Sequence, residues 1–227
     1  MRCHVAFTPA EAAEAQLGIV VDVMRATSTI AQALAAGYRR VLCCAEIDDA
    51  LVLRTELGGE AITGGEREAQ RIEAFDAGAS PREFREPRAE TLILSTTNGT
   101  RSIVAAASAC DEVVLGALLN LDSVAAYARE RGEDVTVLCA GYKGAFAIDD
   151  VYCAGRIVRL VGGERTDAAI AAEIVADRFP VALDGINART YGPPGLEEDI
   201  AFCAQESLLE VVPRFVRMAG AAAEVVA

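Results

Sequence analysis

One unit recurs three times in this chain: an apolar run, a polar turn, then an Ala-rich stretch of helical period. The first copy runs from Leu17 to Val23, turns through Met24-Arg25-Ala26-Thr27-Ser28-Thr29, and continues from Ile30 to Gly37. The second is Leu92 to Leu94, a turn from Ser95 to Arg101, then Ser102 to Cys110. The third is Val135 to Ala140, a loop from Gly141 to Ile148, then Asp149 to Val161. Short continuous apolar runs that each lead into a helix are the pattern of strands buried on both faces of an α/β sheet. Segments Ile30–Leu42 and Ile103–Leu115 both pass from helix start into a strand, which raises an internal pseudo-repeat. Physical constraints on αβ units produce the same spacing. In open α/β sheets ligands bind outside the carboxyl ends of the strands, so the three polar turns are expected to face one crevice.

Composition narrows the function classes. At 227 residues the chain is expected to form one compact domain over residues 1–227 with ample core. With 52% hydrophobic but 5% aromatic residues, Ala, Val, Leu and Ile build the interior. No apolar run approaches the ~18 residues of a membrane span, and the start MRCHVAF lacks a signal-peptide layout. Seven cysteines, an odd number with several inside apolar runs, read as buried thiols in a reducing cytoplasm. A net charge of −13 argues against nucleic acid and anionic membranes as partners but not against a small anionic substrate. His4 is the one histidine, so chemistry that needs two histidines is excluded for a single chain. Ala/Val-rich helix faces leave room for a homodimer.

Three further segments carry expectations. Residues 58–81, with two Gly-Gly pairs and Gly78-Ala79-Ser80-Pro81, are expected to form a long ordered loop able to cover a site. Gly192-Pro193-Pro194-Gly195 breaks structure before a helix that begins near Glu197. The Ala-rich end, Ala219 to Ala227, is expected to be a frayed helix.

Within the turns, several side chains have chemical readings. Asp22 ends a buried apolar run, which is costly unless the carboxylate binds metal or pairs with a cation such as Arg25. Asp149 and Asp150 open a helix, where acids ordinarily complement the dipole, and could also serve as Mg2+ ligands. The turn Ser95 to Arg101 combines hydroxyls, an amide, Gly99 and a guanidinium at a helix N-terminus. It suits an oxyanion, and equally a simple helix cap. Lys143, the one lysine beside 20 arginines, sits between Gly141 and Gly144 in position to bind phosphate. Arg67 and Arg101 could do the same or form surface ion pairs. Neither GxxxxGK[ST] nor GxGxxG occurs, so nucleotide loops have no support. Cys153 and Arg159 match C-x5-R, but Cys153 falls on the apolar phase of a helix and reads as a core cysteine.

The chain resembles the 2-phosphosulfolactate phosphatase family, the magnesium-dependent enzymes of coenzyme M biosynthesis. The resemblance rests on residues 21–30 (VDVMRATSTI), Gly64-Gly65-Glu66-Arg67, residues 75–81 (FDAGASP) and Thr96-Thr97-Asn98-Gly99-Thr100-Arg101. Ala140-Gly141, Asp150 with Cys153-Ala154-Gly155, and Glu197-Glu198-Asp199-Ile200 with Phe202-Cys203 complete it, over about residues 18–213. This chain has Ala79 where the family usually has Asn, Ala74 where it has Gly, and Asp149 where it has Glu. The resemblance implies a three-layer α/β/α fold with a mostly parallel or mixed sheet. It also implies a substrate carrying phosphate, carboxylate and sulfonate.

On this reading Asp22 and Asp150 hold Mg2+, with Asp149 or Glu66 assisting, and Arg25 neutralises the phosphate. The turn Thr97-Asn98-Gly99-Thr100 binds phosphate or acid oxygens, while Arg67, Ser80 and Lys143 take the remaining acidic groups. Attack by water in line and an aspartyl-phosphate on Asp22 both stay open; the absence of D-x-D-x-[TV] at Asp22 favours water. A phosphatase for a different phospho-acid, or a non-catalytic binder of small anions, are the alternatives.

Overall fold

The computed structural model describes residues 1–12 and 14–227. In chain order the first elements are β1 (Arg2–Ala6), β2 (Ala15–Val21), α1 (Ala26–Ala36), β3 (Arg40–Cys44), α2 (Ile47–Leu57), β4 (Ala61–Arg67) and β5 (Gln70–Arg71). Then come β6 (Thr91–Ser95), α3 (Gly99–Ala109), β7 (Cys110–Gly116), α4 (Leu121–Arg131), β8 (Val135–Cys139) and α5 (Ile148–Val161). The chain ends with β9 (Glu164–Arg165), α6 (Asp167–Arg178), α7 (Ala182–Asn187), α8 (Glu197–Cys203), β10 (Arg214–Ala219) and β11 (Ala222–Val226). The three strand–turn–helix units are therefore β2–α1, β6–α3 and β8–α5, as their sequence pattern predicts.

All the strands join one mixed sheet in the order β5-β4-β6-β3-β11-β10-β7-β2-β8-β1-β9. Strands β4, β6 and β3 are mutually parallel, as are β7, β2, β8, β1 and β9. The β10–β11 hairpin sits between these two groups, antiparallel to both, so β3 and β7 run in opposite directions. Helix α1 leads from β2 to β3, beside β6; helix α3 leads from β6 to β7, beside β2. The two units offset by 73 residues thus exchange places between the halves of the sheet.

Alternation along the strands assigns the layers. Val20 of β2, Val41 and Cys43 of β3, Leu92 and Leu94 of β6 and Leu115 of β7 face one core with Ile30 and Leu34 of α1 and Ile103 of α3. Both halves of the sheet therefore pack on the same two helices. On the reverse face Ile19, Val21 and Val137 meet Val124 of α4 and Ile157 of α5, with Ala169 of α6 behind. Leu42, Cys44 and Ile93 meet Ala50 of α2. Burying a Leu or Ile of this kind contributes about 1.5–3 kcal/mol each.

Two expectations are corrected here. Residues 61–67 are not a loop but strand β4, paired in register with β6. The glycines mark close approach rather than a break: a Cβ on Gly64 would stand 2.7 Å from the Phe84 ring, and one on Gly65 would strike the Ser95 carbonyl. Residues 219–227 are not a helix. They turn at Gly220, with φ +63°, into β11, whose Ala222, Ala223 and Val225 are buried against β3. High helix propensity of alanine yields there to the packing of small side chains in the sheet.

Candidate active site

The carboxyl ends of β2, β6 and β8 meet, and the turns that follow them line one cleft with a void of about 690 Å3, counted to its open mouth. Asp22, Met24 and Arg25 come from the first turn, Thr96, Thr97 and Asn98 from the second, Gly141, Tyr142 and Lys143 from the third. Asp150 enters from the first turn of α5 and Glu66 from the end of β4.

Local hydrogen bonds hold these ends in place, and they use most of the hydroxyls. Thr27 accepts from the Asp22 N–H at 3.1 Å and donates to the Asp22 carbonyl at 2.9 Å. Ser28 donates to the Val23 carbonyl and Thr29 to the Ala79 carbonyl, both at 2.8 Å. Thr97 gives Glu66 Oε1 its backbone N–H at 2.8 Å and its hydroxyl at 3.0 Å, while Glu66 Oε2 accepts from the Ala69 N–H at 2.7 Å. Gly99 allows the start of α3 to touch that of α1, since a Cβ there would lie 2.5 Å from the Ala26 Cβ.

Asp150 accepts the Val23 N–H on Oδ1 and the Gly141 N–H on Oδ2, each at 2.9 Å. The acid thereby ties α5 to two of the three turns. Burial pushes its carboxyl well above the usual range, and the charges of Asp149 and Asp22 push it further. Asp22 is raised to about 7, first by burial, with the Glu66 and Asp149 charges adding and the Ala26 N–H and Arg25 opposing. Asp22 does not pair with Arg25. The Arg25 guanidinium reaches past it to Asp199 at 2.6 Å and to the Ala69 carbonyl at 3.1 Å.

The remaining expected site residues fall in three places. Lys143 is on the rim, paired with Glu68 at 2.9 Å. Ser80 lies next door, donating to Asp199 at 2.5 Å in a recess that shares Arg25, Ala69 and Leu196 with the main cleft. Arg67, Gly99, Thr100 and Asp149 do not line the cleft. Arg67 points to the other side of β4 and bonds the Ala45 carbonyl and the Ser95 hydroxyl. Asp149 is fully buried behind Tyr191, whose hydroxyl lies 2.8 and 2.7 Å from its two oxygens. Arg101 is exposed and pairs with Glu46. His4 is remote, bonded to Thr166, and Cys153 is buried in the core around α5.

Sequence reasoning missed part of the wall. Glu68, Tyr142, Arg189, Tyr191, Gly192 and Leu196 all face the cleft. Tyr142 and Tyr191 stack with centroids 4.2 Å apart. Tyr142 lies in the turn after β8 beside Lys143, whereas Tyr191 sits in a segment without a strand–helix signature and chain folding alone brings it there.

Whether the wall suits a divalent cation can be judged from its charges. Four carboxylates, Asp22, Glu66, Glu68 and Asp150, face three cations, of which Arg25 and Lys143 already hold partners. Among the described residues no three acidic, His or Cys side chains stand close enough to enclose a metal by themselves. Mg2+ ordinarily takes one or two carboxylates and completes its shell with water and substrate phosphate, so Asp22 and Asp150 fit that ion's donor preference.

Comparison with known sequences agrees with the geometry. The profile of a family described as 2-phosphosulpholactate phosphatase matches residues 5–217. A probable 2-phosphosulfolactate phosphatase of Thermotoga petrophila is 36% identical over 220 residues, covering 93% of this chain and 94% of that protein. One from Clostridium acetobutylicum is also 36% identical, over 87% of this chain and 88% of its own length. A relative of the same description from Carboxydothermus hydrogenoformans is 32% identical over 94% of this chain and 92% of its own. The match runs through all three turns that line the cleft, and the chain belongs to the 2-phosphosulpholactate phosphatase family.

Proposed function

We propose that this protein hydrolyses the phosphate ester of a small phosphorylated hydroxy acid, 2-phosphosulfolactate, to sulfolactate and phosphate, with Mg2+ and in the cytoplasm. The observation that carries the reading is the meeting of Asp22, Glu66 and Asp150 with the Thr96–Asn98 turn and three cations in one cleft. A polyanionic ester would be repelled by those acids alone. Mg2+, if held there by Asp22 and Asp150, would supply the missing positive charge and polarise the phosphate.

The chain's own groups then divide the work. Asp22 and Asp150 hold the metal, with Glu66 fixing the Thr97 turn beside it. Arg25, steadied by Asp199, faces the transferring phosphoryl group, and Lys143 attracts the anion at the rim. In-line displacement by water makes the new P–O bond as the ester P–O bond breaks, and the departing alkoxide of sulfolactate takes up, through solvent, the equivalent of the proton that the attacking water gives up. The buried thiols of Cys43, Cys44, Cys139 and Cys153 support the cytoplasmic assignment.

A second reading, a different phospho-acid as substrate, draws on Ala79, which brings only a methyl group to the cleft wall. Phosphate release from 2-phosphosulfolactate and a panel of phospho-acids, with Mg2+ and with chelator, tests both. Turnover of 2-phosphosulfolactate that needs Mg2+ is expected. Preference for another phospho-acid selects the second reading, and anion binding without turnover of any ester overturns both.

A further inference from the structure

Arg189 is the cleft cation without an acidic partner. Among the described residues no carboxylate lies within ion-pair distance of its guanidinium, whereas Arg25 is held by Asp199 and Lys143 by Glu68. Its Nη1 donates to the Tyr191 carbonyl at 2.5 Å. Its Nε is buried and has no hydrogen-bond partner among the described residues. An unmet N–H on a charged group is expensive, at least as costly as the ~1–3 kcal/mol of a neutral one, so a fold keeps it only where something else answers it.

The geometry of the guanidinium says what would answer it. With Nη1 turned to the backbone, the Nε–H and Nη2–H edge has no hydrogen-bond partner among the described residues, and that edge presents two parallel donors matched to two oxygens of one acid group. The turn around it is shaped to the arginine. Gly192, at φ +95°, lies so close that a Cβ there would stand 2.6 Å from Nη1. The Tyr191 ring lies under the guanidinium, 5.8 Å from Cζ to its centroid.

We propose that Arg189 is a specificity-determining residue that binds, through its Nε–Nη2 edge, an acid group of the substrate other than the phosphate, a sulfonate or a carboxylate. This rests on the phosphatase reading above. The phosphate belongs beside Asp22, Asp150 and the Thr97 turn, so the Tyr191 and Leu196 wall that carries Arg189 receives the far end of the molecule.

The test compares wild type, Arg189→Met and Arg189→Lys on 2-phosphosulfolactate and on 2-phospholactate, which lacks the sulfonate. Arg189→Met is expected to lower kcat/KM for 2-phosphosulfolactate by about 10- to 100-fold, mainly through KM, the range set by a lost charge-assisted bidentate contact. Arg189→Lys should recover part of the loss, since it restores charge without the fork. If the sulfonate is the ligand, 2-phospholactate turnover is unchanged by the substitution. If the carboxylate is, both substrates lose equally and sulfolactate binding by calorimetry weakens in step. Thermal denaturation of each variant separates this from misfolding. A KM within twofold of wild type for both substrates, or unchanged affinity for sulfolactate, overturns the proposal. Failure of the wild type to release phosphate from any ester would instead overturn the phosphatase reading, and the calorimetric comparison would still judge Arg189.

Discussion

Tyr191 closes Asp149 off from the cleft: its hydroxyl lies 2.8 and 2.7 Å from the two carboxylate oxygens, and its ring forms part of the cleft wall. The contact gives a fully buried acid its side-chain donor, and it opposes the burial that raises the Asp149 carboxyl. The same ring stacks on Tyr142, so one residue joins the α5 start to the loop after β8. Tyr191→Phe keeps the stack but strips the donor from a buried charge. It is expected to destabilise the fold by about 1.5–3 kcal/mol, measured by urea denaturation. Stability equal to wild type would show that Asp149 does not depend on that hydroxyl.

Asp22 and Asp150 should respond oppositely to removal of their charge. Asp150 accepts two backbone N–H groups on two oxygens. An asparagine keeps one acceptor and turns an NH2 toward the other donor. Asp150→Asn is thus expected to cost about 1–3 kcal/mol. Among the described residues the Asp22 carboxylate accepts only the Ala26 N–H, at 3.3 Å, and its charge is disfavoured by burial and by its acidic neighbours. Asp22→Asn should leave stability unchanged or raised at pH 8. Phosphate release should fall on the order of 10²-fold or more in both. Equal loss of stability in the two variants would contradict this account of the site's electrostatics.

Gly99 tests how closely the two helix starts must approach. A Cβ there would stand 2.5 Å from the Ala26 Cβ, 2.9 Å from Thr96 Oγ1 and 3.3 Å from Asp22 Oδ2. Gly99→Ala is expected to cost about 1–3 kcal/mol by overpacking and to lower activity by displacing Asp22. Gly59→Ala, with nothing within 4 Å of the added carbon, should be neutral. A Gly99→Ala protein with wild-type melting temperature and turnover would show that the helix starts yield freely.

Local pattern made the core of the site legible because β2, β6 and β8 each carry their functional turn in the next few residues. Asp22 and Lys143 need no tertiary information beyond the rule that turns after parallel strands gather at one edge of the sheet, whereas Thr97 follows β6, which runs opposite to β2 and β8, and reaches the cleft because the starts of α1 and α3 meet at Ala26 and Gly99. Arg67 shows the limit of that logic. One residue past Glu66 on an extended strand, it must face the other way, but the Gly-rich stretch around it read as loop, so the alternation was invisible. Arg189 and Tyr191 reach the cleft from a segment between α7 and α8 with no periodicity. The hydroxyls of residues 27–29 all donate to backbone carbonyls, a role the sequence does not display, since it shows the donor but not its partner. The terminal hairpin was hidden for a different reason: alanine favours helix locally, and only the gap between β3 and β7 demands a strand.

Cys153 distinguishes the core reading of C-x5-R from a thiol nucleophile. Its side chain is fully buried among the residues of α5 and the sheet, and burial with the nearby Asp150 charge holds the thiol far above its usual range. Cys153→Ser should retain phosphate release within about twofold while losing ~1–3 kcal/mol for a buried hydroxyl. Abolished turnover in a folded Cys153→Ser protein would revive the cysteine mechanism.

Proton and metal compete for Asp22, and the competition has a definite sign. Its carboxyl stands at about 7 in the folded protein against 3.8 ordinarily, so the native state keeps a proton that the unfolded chain releases between those values. Stability from this group is therefore fully present below pH 3.8 and is lost as pH rises through about 7. In chelator, wild type should lose more stability between pH 5 and pH 8 than Asp22→Asn, which has no such proton to release. Mg2+ added at pH 8 binds the native carboxylates and should raise the melting temperature of wild type, and that of Asp22→Asn much less. A wild-type melting temperature indifferent to Mg2+ at pH 8 would remove Asp22 from the metal site, while an equal rise in both proteins would assign the metal to Asp150 and its other neighbours.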